Sequence, residues 1–461
     1  MSESQTARPT RQLTKQWQVL QHPKPEDKAL PGCKYGCIYC NQAGMDVSKN
    51  GEDMSPYITT TVDSGISLNT TIYRGDIEIK KIPITTIVNE LKEFPYYSSQ
   101  EPLVLENFSD PSLDWGKSFE LVESLMNIGH SGPIILITKG SIPKYQIEKA
   151  LDLKNRGAEL FFIITYSGLP ETVEPIPKKG RILTLHKLNQ AGIPAILSIR
   201  PLIEGLNTSK ETIRQVIEQA GKHSSAIISG GLYVFDFTHE SFRQHGIQLS
   251  NMYDDYQNTE FKLVDRSRQE DIRRIVEESG YEVPVFKHTT CAIAYLRSLF
   301  YNQSQPDRLA HWAMTEDQFE DCAGCDENQM ALCQKAKEDD VGNVIHRAQE
   351  KLAQIGYKNE IIPSSKKGVL LLKEGSLHLS ELFFIVQACG WQVENLPSIN
   401  RLLHHLNEVL PSNKALTKCE YEKNTTSWII EIEPSLLDKE RDAILEHLWR
   451  KLRSHFISIK P

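Results

Sequence analysis

The sequence of 461 residues lacks any apolar run near the roughly 18 residues that a membrane-spanning helix needs. It also lacks an apolar core close to its N-terminus, so we expect no signal peptide. It has no excess of positive charge, since 52 Lys and Arg face 60 Asp and Glu. The net charge of −8 argues against a protein that coats nucleic acid non-specifically, although a local basic groove stays compatible with it. Without a signal peptide, the nine cysteines favour metal ligands or buried thiols over disulfides. We therefore expect a cytoplasmic protein.

No cysteine lies between Cys40 and Cys291, but Cys33, Cys37 and Cys40 stand close together before this gap. Iron–sulfur clusters are normally held by four cysteines, so three thiolates leave one iron open to a ligand from outside the protein. The alternative is a zinc site whose fourth ligand lies elsewhere. Zinc sites usually contain two well-separated cysteine pairs, and no second pair lies near Cys40. The spacing therefore favours an iron–sulfur cluster and leaves zinc open.

A repeat of apolar runs and helical patterns follows the cysteine motif. We predict buried strands in the runs LVLENF (103–108), IILIT (134–138), ELFFIITY (159–166), PAILSIR (194–200) and SAIISGGLYVF (225–235). The helical patterns between them each end at or near a glycine, and Ser209 is a plausible helix cap. This alternation predicts an α/β fold with a parallel sheet, either open or closed into a barrel.

Polar residues follow these strands, where ligands of parallel sheets bind. Glu106 and Asn107 come after the first apolar core, Lys139 and Ser167 follow the next two strands, and Arg200 ends the fourth. Any one of these ends is compatible with ordinary turn chemistry. Their succession predicts a site for a carboxylate and a ribose.

The segments ENFSDP, ITKG, TYSGLPETVEP and IRPLIEGLN, together with the cysteine motif, resemble the spore photoproduct lyase-like branch of the radical S-adenosylmethionine superfamily. The resemblance spans roughly residues 32–236 and implies a partial (β/α)6 barrel. It implies an enzyme that reductively cleaves S-adenosylmethionine to a 5′-deoxyadenosyl radical, which abstracts a hydrogen atom from a substrate. It also implies a reductant such as flavodoxin or ferredoxin.

The resemblance implies roles for individual residues. A [4Fe–4S] cluster would be held by Cys33, Cys37 and Cys40, and S-adenosylmethionine would bind near Tyr39, Glu106, Asn107, Lys139, Ser167 and Arg200. Tyr39 would lie near the adenine and Lys139 would pair with the methionine carboxylate. Leu105-Glu106-Asn107 replaces the glycine-glycine-glutamate stretch of the family, which leaves open the group that holds the methionine amine. The resemblance does not define catalytic residues beyond the cofactor site.

A second cysteine group contains Cys291, Cys322, Cys325 and Cys333. Four thiolates can close a metal site, so an auxiliary [4Fe–4S] cluster and a structural zinc ion both suit them. A redox disulfide between Cys322 and Cys325 is a third interpretation. The array resembles the auxiliary-cluster cysteine groups of radical enzymes, which favours iron.

The C-terminal third combines helical patterns with a predicted hairpin at 418–433. Its outline is similar to a winged helix, which would suit nucleic acid, while a packing or dimerisation domain is the alternative. His404 and His405 are adjacent on a predicted helix, so we expect them to point apart and to make a poor metal pair.

Four segments follow from these patterns. They are a flexible N-terminus (1–20), a radical S-adenosylmethionine core barrel (21–240), a cysteine-rich auxiliary cluster region (241–340) and an α+β accessory domain (341–461). The substrate we favour is a nucleic acid or nucleoside. The alternatives are a small metabolite or peptide as the substrate, or a zinc-stabilised nucleic-acid-binding protein without catalytic activity.

Overall fold

The structure is a computed structural model. It describes residues 20–22, 30–31, 35–40, 80–81, 83–93, 97, 99–100, 102–105, 110–233, 236–249, 262–263, 266–286, 288–302, 331, 340–365, 368–373, 377, 385, 389, 391–410, 416–422, 427–432, 444–445, 447–448 and 457–460. The chain forms two compact units, Met1–Asn302 and Gln303–Pro461. The four segments that the sequence suggests stay a prediction.

The described strands and α-helices of the first unit are β1 (Leu20–His22), β2 (Leu30–Pro31), β3 (Lys80–Lys81), α1 (Ile84–Glu93), β4 (Leu103–Leu105), α2 (Trp115–Asn127), β5 (Ile134–Thr138), α3 (Lys144–Asn155), β6 (Leu160–Thr165), α4 (Lys178–Gln190), β7 (Ala195–Leu202), α5 (Lys210–Gln219), β8 (Ala226–Tyr233), α6 (Asp236–Gln244), β9 (Lys262–Leu263), α7 (Arg266–Glu278), β10 (Val285–Phe286) and α8 (Thr289–Phe300). Strands β1–β3 form a small sheet of their own.

The main sheet of the first unit contains six parallel strands in the order β10-β8-β7-β6-β5-β4. Strand β9 pairs with β8 in the antiparallel direction, off this path. Each parallel strand lies beside its predecessor in the chain, so the order never reverses as it does in a doubly wound fold. The predicted α/β fold with a parallel sheet is confirmed. This order is compatible with a partial α/β barrel, and β4 and β10 are the two edges among the described strands.

Burial explains why these segments form strands. All six residues of β6 are buried, as are most of β5 and β7, which is typical of parallel strands covered on both faces. On α2, Phe119 and Trp115 contact Phe162 of β6, with ring centroids 6.3 and 6.2 Å apart. The predicted cap is also confirmed, since Ser209 Oγ accepts a hydrogen bond of 3.1 Å from Thr212 N at the start of α5.

The described strands and α-helices of the second unit are α9 (Val341–Gln354), β11 (Ile361–Pro363), β12 (Val369–Lys373), β13 (Gln392–Leu396), α10 (Ile399–Val409), β14 (Leu416–Glu422), β15 (Ser427–Ile432) and β16 (Ile457–Lys460). They form two three-stranded sheets, β11-β12-β13 and β14-β15-β16, each an antiparallel pair extended by a parallel strand. The predicted hairpin is present as β14 and β15. The winged-helix outline stays a prediction.

A helix at the C-terminal side of the second unit packs on α10. Of this helix, the structure describes Ile444, Leu445, His447 and Leu448. Ile444 and Leu448 are buried in one cluster with Leu402 and Leu406 of α10. Among the helices that the structure describes, none is long and apolar enough to cross a membrane.

Candidate functional site

The cysteine loop lies against the carboxyl ends of the parallel strands. Cys37, Ile38 and Tyr39 are buried in one apolar cluster. The other buried members of this cluster are Val173, Ile176, Ile203, Leu232, Phe242 and Leu249. Val173 and Ile176 follow β6, Ile203 follows β7, and Leu232 lies near the end of β8. The fold therefore places the loop where parallel sheets bind their ligands.

A tight turn brings Cys37 and Cys40 to the same side of the loop. Gly36 adopts a positive φ of 66°, a conformation that glycine enters without steric cost. Cys40 N donates a hydrogen bond of 3.1 Å to Cys37 O, and Ile38 N donates one of 3.1 Å to Val173 O. The first bond closes the turn, and the second fixes it to the loop that follows β6.

Lys139 reaches this turn from the end of β5. Its Nζ lies 5.4 Å from the ring centroid of Tyr39, within the range of a cation–π contact. Burial lowers the pKa of Lys139, but Cys37 in its thiolate form, Glu174 and Asp110 outweigh this effect and raise the pKa above its ordinary value. The ammonium group is therefore held charged beside the two thiols.

Asp110 positions the backbone that carries Lys139. Its Oδ2 accepts a hydrogen bond of 2.8 Å from Lys139 N, and its Oδ1 accepts bonds of 2.6 Å from Thr138 Oγ1 and 2.9 Å from Ser112 N. Ser112 Oγ is in turn hydrogen-bonded to the hydroxyl of Tyr35 in the cysteine loop. This chain of bonds links the ends of β4 and β5 to the loop.

A buried ion pair supports Tyr39 from the other side. The Tyr39 hydroxyl donates to Glu174 Oε2, while Arg181 Nη1 donates to Glu174 Oε1. Glu174 and Arg181 are 1% and 3% exposed. Arg181 also donates to Thr165 O at 3.0 Å and to Ile176 O at 2.8 Å, so its charge has several acceptors. The opposite charges of the pair neutralise each other inside the protein, and the pair fixes Tyr39, which stands between Cys37 and Cys40 in the sequence.

Two serines at the same sheet edge offer buried hydroxyl groups. Ser167, directly after Tyr166 at the end of β6, and Ser229 of β8 each have a buried Oγ without a hydrogen-bond partner within the described part of the chain. The Ser167 carbonyl is satisfied, since Asn207 Nδ2 donates to it at 2.8 Å. Buried hydroxyl groups normally have partners, so these two are available to a bound ligand.

Arg200 links the end of β7 to the helix that carries Cys291. Its Nε donates to Ser229 O at 3.1 Å, and its Nη1 donates to Thr289 Oγ1 at 3.1 Å. Cys291 lies in the first turn of α8 and is partly buried. Cys291, a member of the second predicted cysteine group, therefore lies two residues after Thr289, which contacts Arg200 at the carboxyl edge of the sheet.

The thiol chemistry at the loop suits a metal. Burial raises the pKa of Cys37 to about 12, and the positive charge of Lys139 opposes this rise only in part. A thiol in such surroundings is inert unless a metal ion replaces its proton. Two neighbouring thiols can bind a metal cluster, and the ammonium group of Lys139 and the unpartnered hydroxyl groups suit a polar ligand beside it.

The structure brings Cys37, Cys40, Tyr39 and Lys139 together, and it puts Ser167 and Arg200 at the same edge of the sheet. The remaining predicted site residues, Cys33, Glu106, Asn107, Cys322, Cys325 and Cys333, lie outside the described residues. The five described cysteines, Cys37, Cys40, Cys291, Cys389 and Cys419, form no disulfide.

Sequence reasoning missed the supports of the site, namely Asp110, Glu174, Arg181 and Asn207. Only one signal could have found them. Glu174 interrupts an apolar stretch between Val173 and Ile176, and a charge in such a place needs a partner. Its partner, Arg181, stands seven residues later on α4.

Comparisons with known proteins give little for this chain. No protein-family profile matches it, and no curated protein matches it in sequence. One solved structure that matches part of this chain is SuiB from Streptococcus suis, determined with S-adenosylmethionine bound. The TM-score is 0.34 at 10% identity, over 56% of this chain and 48% of that one. The match therefore spans about half of each chain.

Proposed function

We propose that this protein is a radical S-adenosylmethionine enzyme. Cys33, Cys37 and Cys40 would hold three irons of a [4Fe–4S] cluster, and the fourth iron would bind S-adenosylmethionine. One observation carries the proposal: Cys37, Cys40 and the charged Lys139 converge at the carboxyl edge of a sequentially ordered parallel sheet. A structural zinc site would not need a charged ammonium group beside it.

The described residues suggest how S-adenosylmethionine would be held. Lys139 offers a positive charge for its carboxylate, and the Tyr39 ring offers an apolar surface for its adenine. Ser167 Oγ is a hydroxyl group in want of a partner and suits a ribose or carboxylate oxygen. Arg200 would lie near the cluster, and Glu106 and Asn107 are candidates for the methionine amine.

When bound, the cluster would supply the electron for reductive cleavage of the C5′–S bond of S-adenosylmethionine to methionine and a 5′-deoxyadenosyl radical, which would take a hydrogen atom from the substrate. The protein's own residues bind, orient and shield. Cys37 and Tyr39 are 5% and 7% exposed, so water is kept from the inner side of the loop. The Glu174–Arg181 pair fixes the ring of Tyr39 and limits movement of the flanking cysteines.

The substrate, the second metal site and the reductant are proposed from the sequence alone. The resemblance of residues 32–236 to the spore photoproduct lyase-like branch favours a nucleic acid or nucleoside as substrate, with a small metabolite or peptide as the alternative. Cys291, Cys322, Cys325 and Cys333 would hold a second [4Fe–4S] cluster or a zinc ion. A flavodoxin or ferredoxin would supply the electron in a reducing cytoplasm.

The test is production of 5′-deoxyadenosine by the anaerobically reconstituted full chain with dithionite and S-adenosylmethionine. We expect the wild type to form it and Cys37→Ala to lose at least about 100-fold of the rate, since a cluster with a missing thiolate does not assemble normally. Cys419→Ala is the matched control. It removes a thiol from β14 in the second unit and should keep the wild-type rate.

A second variant separates binding from cluster assembly. Lys139→Met should keep the iron content but raise the concentration of S-adenosylmethionine needed for half-maximal rate by about 10-fold or more, because a charge-assisted contact to the carboxylate is lost. A colourless zinc protein that forms no 5′-deoxyadenosine would instead support the non-catalytic alternative. In that case the proposed function is wrong.

A further inference from the structure

Three histidines surround one carboxylate in the second unit, far in sequence from the cysteine motifs. His404, His405 and Glu408 lie on α10, and His447 lies on the C-terminal helix that packs against it. The expectation that His404 and His405 point apart is wrong. Their ring centroids are 5.0 Å apart, and both reach the side chain of Glu408 one helical turn later. Residues three and four apart lie on one helix face, so Glu408 is a neighbour of both.

The nitrogen atoms converge on the carboxylate oxygens. His405 Nδ1 lies 2.9 Å and His447 Nε2 lies 3.1 Å from Glu408 Oε2. His404 Nε2 lies 3.6 Å from the other oxygen, Oε1. One potential ligand atom from each of His404, His405 and Glu408 lies within 4.8 Å of the others.

These separations match a shared metal ion. Zinc binds imidazole nitrogen and carboxylate oxygen at about 2.0–2.2 Å, so two ligands at a tetrahedral angle stand about 3.4 Å apart. The distances from Glu408 to the three histidines are already 2.9, 3.1 and 3.6 Å. His404, His405 and Glu408 already have one ligand atom each within 4.8 Å of the others. His447, whose Nε2 lies 3.1 Å from Glu408 Oε2, would join them as the fourth ligand after a side-chain rotation.

The scaffold behind the cluster is rigid. Leu402 and Leu406 of α10 are fully buried against Ile444 and Leu448 of the C-terminal helix. His447 stands between these two helix residues in sequence and therefore has a fixed position relative to α10. His405 and His447 are only 14% and 15% exposed, which limits their motion before any ion binds.

We propose that His404, His405, Glu408 and His447 form a binding site for a divalent transition metal, with zinc as the fitting ion. Three imidazoles and one carboxylate are ligands that zinc prefers, and four protein ligands make a closed, structural site. Hard cations such as Mg²⁺ and Ca²⁺ prefer oxygen ligands and fit poorly. The ion would tie α10 to the C-terminal helix across 39 residues of sequence.

The test compares bound zinc in the full-length chain and its variants after dialysis against buffered Zn²⁺, measured by elemental analysis. The cysteine sites also take up zinc, so the readout is the difference from the wild type. At a free Zn²⁺ concentration that only just saturates the wild type, we expect His447→Gln and Glu408→Gln each to bind about one zinc fewer per chain, because removal of one of four ligands weakens the site. His404→Gln tests the site with little risk to folding, because the His404 side chain is 70% exposed.

His346→Gln is the matched control. His346 and Glu350 form an exposed pair at i and i+4 on α9, with 3.5 Å between Nε2 and Oε1. This pair lacks the further histidines, so the control should keep the zinc content of the wild type. Added zinc should also raise the melting temperature of the wild type by about 5 °C more than that of His447→Gln.

The zinc content of the variants tests the histidine site separately from the radical S-adenosylmethionine activity. Equal zinc content in the wild type, His447→Gln and His404→Gln would overturn the site and indicate a hydrogen-bonded histidine–glutamate cluster only. Loss of zinc in these variants with unchanged 5′-deoxyadenosine production would support it. Failure of the wild type to form 5′-deoxyadenosine would leave the zinc measurement unaffected.

Discussion

The buried Glu174–Arg181 pair gives the sharpest test of how the cysteine loop is held. Glu174→Gln keeps the size of the side chain and an acceptor for the Tyr39 hydroxyl, but it removes the negative charge. The Arg181 guanidinium, 3% exposed, would then be charged without a counter-ion. Breaking a buried ion pair at one end typically costs 3–5 kcal/mol.

For Glu174→Gln, we expect the loss in the free energy of unfolding to lie near the lower end of that range. Arg181 keeps hydrogen bonds to two backbone carbonyls, Thr165 O and Ile176 O, and its guanidinium carbon lies 5.2 Å from the ring centroid of Tyr166. These contacts partly compensate the charge. We therefore expect a loss of about 3 kcal/mol, which lowers the melting temperature of a unit of this size by about 5 °C.

The assay is differential scanning calorimetry of the apoprotein, with a double-mutant cycle. Glu174→Gln combined with Arg181→Met removes both charges, and it should be less destabilising than Glu174→Gln alone. Glu171→Gln is the control, since Glu171 is exposed in the same loop and should change the melting temperature little. If Glu174→Gln melts within 1 °C of the wild type, the argument that this pair anchors the loop is wrong.

Two further perturbations test other parts of the first unit. Burial lowers the pKa of His130 to about 4, against 6.5 in the unfolded chain, so the unfolded state binds more protons and stability falls as pH drops through this window. Between pH 7 and pH 4.5, the free energy of unfolding measured in urea should fall by about 2–3 kcal/mol more in the wild type than in His130→Gln. Equal decreases in the two proteins would contradict the burial of His130. A Cβ at Gly140 would overlap Ser112 Oγ and the Tyr35 hydroxyl, so Gly140→Ala should lower the free energy of urea unfolding by about 2 kcal/mol. Gly116→Ala on α2, whose Cβ would stand 3.3 Å from Asp114 Oδ1, should lower it by less. Equal stability of the two alanine variants would show that the contact between Ser112 and the cysteine loop is dispensable.

The sequence alone determined the pattern of strands and helices in the first unit. Near-continuous apolar runs such as LFFIIT can be buried on both faces only in a covered parallel sheet, and β6 occupies this segment. The glycines after the helical patterns indicated where α3 and α4 end. The spacing of Cys37 and Cys40 and the position of Lys139 after a strand also predicted that these side chains share one edge of the sheet.

Only the tertiary structure decided which residues support that edge. Asp110, Glu174 and Arg181 act through contacts between residues 7 to 135 positions apart, and no local pattern encodes such contacts. The same holds for the histidine cluster of the second unit. Helix geometry brings His404 and His405 to Glu408, but the apolar packing between α10 and the C-terminal helix adds His447 from 39 residues away. Periodicity sets the local structure, whereas side chains from distant segments meet only once the core has packed.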